Sequence, residues 1–88
     1  MKRSENFILR EILDESILVP VGEAAARLNG MASMNEVGCL IFKALEQEQT
    51  EEDLMALLCS TYQVDEETAR RDLGEFLDQL RRIGALVE

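Results

Sequence analysis

Along this chain the spacing of apolar residues changes character once, at Ser33, and that change constrains the fold more than any other feature. Before it stand two runs, Phe7–Ile12 and Ser16–Pro20, rich in apolar and β-branched side chains and separated by the turn-forming Asp14-Glu15. After it the apolar residues recur at helical spacing. Val37, Leu40, Ile41, Ala44 and Leu45 come first, then Leu54, Leu57, Leu58, Thr61 and Tyr62, then Ala69, Leu73, Phe76, Leu77, Leu80 and Ile83. Strands followed by helices point to an α+β domain.

Local signals set the expected boundaries. Pro20 lacks an N–H for a ladder and belongs at a strand end. Gly22–Arg27 reads as helix by its alanines and as loop by its brevity. A third strand is expected around Leu28 to Met34, with Asn29-Gly30 as a bend or bulge. Ser33 and Glu36 have the spacing of a capping box for the first long helix. Thr50, followed by Glu51, Glu52 and Asp53, caps the second, where first-turn acids suit the helix dipole. Asp65 caps the third, Gly84 ends it, and Ala85-Leu86-Val87 is expected as a docked tail. The expectation is a small winged-helix-like domain spanning residues 1–88, a three-stranded antiparallel sheet followed by three helices.

Composition narrows the functions. A chain of 88 residues builds one modest core. Its net charge of −9 repels nucleic-acid backbones and anionic membrane surfaces. No apolar run approaches the roughly 20 residues needed to span a bilayer, and nothing resembling a signal peptide follows Lys2 and Arg3. A soluble, cytoplasmic domain is expected. The sequence contains no histidine, the usual general base at neutral pH. Cys39 and Cys59 lack the partners of a zinc site and read as small buried thiols rather than a disulfide. Neither catalytic residues, a metal nor a cofactor is expected.

The last helix holds four of the nine basic residues. Arg71 with Glu75, and Asp78 with Arg82, have the i,i+4 spacing of solvated surface pairs. Arg70, Gly74, Leu77 and Arg81 line a strip beside the core stripe, and a glycine inside a helix costs about 1 kcal/mol against alanine. One reading is a shallow groove with an arginine at each end, suited to a peptide bearing carboxylates. The other is that Gly74 is tolerated slack and Arg70 pairs with Glu66. The second candidate surface is the third strand. Gly30-Met31-Ala32-Ser33-Met34 carries no charge to repel an added strand, although Met31 and Met34 also suit a core.

Several motifs recur in an order that resembles the PqqD-like family. Leu18-Val19-Pro20 ends the second strand and Met34-Asn35-Glu36-Val37-Gly38 opens the first long helix. Thr50 to Leu54 opens the next, and Tyr62-Gln63-Val64 precedes a final helix running from Ala69 to Gly84. The resemblance implies a small winged-helix-like module of the kind called a RiPP recognition element. Such modules bind the leader part of a ribosomally made precursor peptide and present it to a modifying enzyme, commonly a radical S-adenosylmethionine (radical SAM) enzyme. The leader adds as a strand beside the third strand, in the cleft against the third helix. Carried over, this implies contacts from Met31, Ala32, Ser33 and Met34, and from Arg70, Leu73, Gly74, Leu77 and Arg81. It also implies a monomer or homodimer without catalytic activity, nucleic acid or membrane. The competing readings are a winged-helix DNA-binding regulator, opposed by the acids interleaved on the last helix, and an acyl-carrier-like protein using Ser16, which lies between strand-like runs rather than at a helix start.

Overall fold

The computed structural model describes residues 1–27 and 32–88. Strands β2 (Phe7–Ile12) and β3 (Glu15–Pro20) form an antiparallel hairpin, and β4 (Ala32–Met34) adds to β3. Register follows the apolar pattern: Phe7 lies opposite Pro20 and Leu9 opposite Leu18, which puts Phe7 and Leu18 together in the core. The turn falls one residue earlier than expected, on Leu13-Asp14, because Glu15 still pairs with Ile12. Leu13 takes a left-handed φ of 58° and is 97% exposed. Such a backbone costs a branched residue about 1–2 kcal/mol.

The expected third strand is present over Ala32–Met34, and its Leu28–Met31 portion, including Met31, lies outside the described residues. One short helix, α1 (Glu23–Arg27), precedes it and resolves the ambiguity at Gly22–Arg27. Helix α2 (Glu36–Ala44) is capped by Asn35 rather than Ser33; the Asn35 side chain accepts the Gly38 N–H at 2.7 Å. Ser33 pairs with Ile17 in the sheet, so it is held in the strand and the helix starts two residues later. Helix α3 (Glu51–Thr61) has the expected Thr50 cap, completed reciprocally by Asp53. Its buried face is Leu54, Met55 and Leu58, rotated from the expected stripe, and Thr61 is exposed where the helix ends.

Helix α4 (Glu66–Ile83) runs from the Asp65 cap to Gly84, whose φ of 79° closes the helix in the left-handed conformation that glycine takes most readily. Beyond it the docked tail is a strand, β5 (Leu86–Val87), paired antiparallel with β1 (Lys2–Arg3) in a second, two-stranded sheet. Backbone bonds from Arg3 N to Leu45 O and from Ser4 N to Ala85 O, both 2.8 Å, fasten this strap to the core. The main sheet and the helices enclose a core cluster that includes Phe7, Leu18, Ile41, Phe42, Leu54, Leu73, Leu77 and Leu80. Cys39 is buried but Cys59 is exposed, against the expectation of two buried thiols, and both are free. Among the described residues no helix is long and apolar enough to cross a membrane.

Candidate functional site

The main sheet has the order β2-β3-β4, so β4 is an edge strand. In an antiparallel pair, alternate residues turn both N–H and C=O away from their partner. Part of the Ala32–Met34 backbone therefore faces outward, and among the described residues no strand pairs with that side. The side chains Ala32, Ser33 and Met34 add no charge that would repel a neighbouring chain.

Beside this edge runs a trough of about 350 Å³ between β4 and the last two turns of α4. Leu18 and Leu80 reach it from the core, Phe76 and Ile83 form a half-buried apolar wall, and Gln79 and Arg82 supply polar groups. Gly38 shapes the wall. A Cβ at that position would stand 3.0 Å from Phe76 Cε1, so the bare glycine in the first turn of α2 lets the ring lie against it. The sequence motif with glycine after Met34-Asn35-Glu36-Val37 thus has a steric basis in the seat of Phe76.

Two further depressions meet the trough at Asn35. One, about 260 Å³, lies between α2 and α4 beside Asp72 and Glu75. The other, about 610 Å³, runs under the β2–β3 turn past Glu11, Asp14, Glu15, Glu36 and Lys43. Lys43 donates to Glu11 at 2.9 Å, and that contact holds its ammonium pKa above the usual value.

The strip Arg70-Gly74-Leu77-Arg81 does not border this trough. Arg70 donates to Glu52 at 2.9 Å and to Glu66 at 3.1 Å, fastening α4 to α3; those hydrogen bonds hold its guanidinium well above its ordinary pKa. Arg81 donates to Glu88 at 2.8 Å and to Asp78 at 2.9 Å. This raises the arginine pKa and lowers that of Glu88. Leu73 and Leu77 are core residues. Gly74 faces open space, with nothing within 4 Å of where a Cβ would stand, so no part of the described chain approaches its backbone there. Of the expected contact residues, the structure brings Ala32, Ser33 and Met34 to the trough and leaves the α4 set on the helix's other flank and in the core. The reason is geometric: a wheel defines two flanks but not which of them meets the sheet.

Arg82 also departs from its expected pairing. Asp78 turns to Arg81, and no carboxylate of the described residues pairs with Arg82; Arg71 approaches Asp72 at 3.8 Å rather than Glu75. Sequence reasoning therefore missed Phe76, Gln79, Arg82 and Ile83 as lining residues. Phe76 and Ile83 sit along one edge of the apolar stripe, where periodicity alone does not separate a core side chain from one that borders a trough.

The family model described as Coenzyme PQQ synthesis protein D (PqqD) matches residues 15–86, from β3 through β5. Among solved structures, the chain is similar to "TbiB1 in Complex with the TbiA(beta) Leader Peptide", with a TM-score of 0.78 and 29% identity over 98% of this chain and 94% of that one. No curated protein matches it.

Proposed function

This chain belongs to the PqqD family, and from that premise we propose that it is a non-catalytic peptide chaperone. It captures the leader of a ribosomally made precursor by strand addition on β4 and presents the peptide to a modifying enzyme, of the radical SAM type that partners many modules of this kind. Its setting is the cytoplasm, where such precursors are made, and it works as one domain, monomeric or dimeric. The observation that carries this reading is the edge of β4, unpaired among the described residues, beside an apolar trough. The similarity to a chain solved with a leader peptide supports it.

The magnitudes divide the work between backbone and side chains. Each hydrogen bond to the β4 edge contributes about 0.5–1.5 kcal/mol net, whatever the peptide sequence. Burying one large apolar side chain in the trough contributes about 1.5–3 kcal/mol. Strand addition aligns the peptide, and the trough selects it. The contact set is then Ala32, Ser33 and Met34 with Phe76, Gln79, Arg82 and Ile83, extended by Met31, the sequence neighbour of Ala32. Leu73 and Leu77 hold α4 in place by burial and Arg70 ties it to α3 through Glu52, while Arg81 fastens Glu88; Gly74 leaves that flank open.

The test is a titration of isotope-labelled protein with synthetic leader segments taken from any short open reading frames that neighbour its gene. Amide shifts should concentrate at residues 32–34 and 76–83. Shifts that spare both segments would defeat the reading.

A further inference from the structure

We infer that the trough selects a charge-ordered segment, with basic residues toward the N-terminus of the bound strand and an acidic residue toward its C-terminus. This rests on the peptide-binding reading above and specifies the class of peptide that fits.

The two ends of the trough differ in charge. Phe76 lies against Gly38 in the first turn of α2, so the Met34–Asn35 end of β4 faces the earlier part of the lining stretch of α4. From Phe76 to Ile83 the helix advances about 10 Å, which carries Arg82 and Ile83 to the Ala32 end. Arg27, on the segment leading toward β4, lies against Gly84 at that same end: its guanidinium is 3.5 Å from where a Cβ of Gly84 would stand.

Around Asn35 the charges are negative. Glu36 and Glu75 have no ion-pair partner among the described residues, and Asp72 meets only Arg71, at 3.8 Å. The α2 N-terminus opposes them with about half a positive charge, too little to reverse the sign. At the Ala32 end neither Arg82 nor Arg27 forms an ion pair among the described residues. The ends are separated by about a Debye length at physiological salt, so each acts on its own part of a ligand.

The main sheet is antiparallel throughout, and antiparallel pairing is slightly the more stable. A strand added antiparallel to β4 begins beside Met34 and ends beside Ala32. Its first residues therefore meet Glu36 and Glu75, and its last meets Arg82.

The experiment is selection from a display library of random short peptides, on the full chain and on its Arg82→Glu and Glu75→Lys variants. Amide shifts of the recovered peptides locate their site. Peptides recovered on the wild type and shifting β4 should carry lysine or arginine early and aspartate or glutamate late. On Arg82→Glu the late acid should be replaced by a base, and on Glu75→Lys the early base should be lost. Synthetic peptides from the first selection should bind Arg82→Glu about fivefold more weakly, the scale of one exposed ion pair. Peptides that shift β4 but show no charge order, the opposite order, or an order unchanged in both variants would overturn the inference and leave the peptide-binding reading standing. Peptides that do not shift β4, or no recovery at all, would overturn both.

Discussion

Two flanks of one helix, each carrying arginine, meet different surroundings in this molecule. On one side of α4, Arg70 and Arg81 are each held by two carboxylates, and Gly74 between them faces open space. On the other side Phe76 and Ile83 present half-buried apolar surface toward β4, and Arg82 has no carboxylate partner among the described residues. The first flank has its charges answered within the fold. The second leaves an apolar wall, a cation and a strand edge unanswered together. Arginines at helical spacing therefore do not tell which flank the fold leaves unpartnered; their ion pairs and the position of the strand edge do.

The core stripe between the flanks should give the largest effect. Leu73→Ala removes a completely buried side chain shared by both sides and should lower stability by about 2–5 kcal/mol, read from the denaturant midpoint at unchanged slope. A smaller loss would mean that α4 can settle inward, and the trough would then change shape with it. Phe76→Ala tests the second flank alone. Its peptide affinity, read on the folded fraction, should fall about four- to tenfold, since half a buried aromatic contributes roughly 0.8–1.5 kcal/mol. Unchanged affinity would break the distinction between the flanks.

Gly74→Ala makes the reciprocal test on the first flank. The glycine has a helical backbone and room for a methyl group, so alanine should stabilise the protein by about 0.5–1 kcal/mol and leave peptide binding alone. If stability rises while affinity drops, a partner backbone does approach Gly74, and the first flank is a binding surface after all.

What the sequence revealed follows from how local each signal is. Thr50, Asp65 and Gly84 mark helix ends through bonds to residues within one turn, and all three do so in the structure. Ser33 failed as a cap because a distant residue, Ile17, holds it in a strand, and no local pattern records that competition. The β1–β5 strap joins Lys2 to Val87 through two-residue strands too short to show a period. The β4 edge was legible as an uncharged run of small and flexible side chains. Its partner surface was not: Phe76 and Ile83 were visible as apolar residues, but whether they complete the core or border a trough depends on where the sheet lies. The family was legible for a different reason, since the order of its motifs reflects caps and packing positions along almost the whole chain.

The smallest effect should come from Arg81→Gln, and it separates charge from packing on the first flank. Arg81 lowers the pKa of Glu88, the last residue of the sequence, which follows β5. A carboxylate whose folded pKa is depressed contributes stability above its unfolded value, about 4.3 for glutamate, and loses it as pH falls through the folded value. The wild type should therefore melt slightly higher than Arg81→Gln near neutral pH, and the two melting curves should converge once the medium is more acidic than the carboxylate range. Added salt should also narrow the gap, because both partners are largely exposed. A gap that persisted in acid would show that the aliphatic stem of Arg81 packs as well as its charge pairs. Peptide affinity should stay within about twofold throughout, as expected of a surface ion pair remote from the trough.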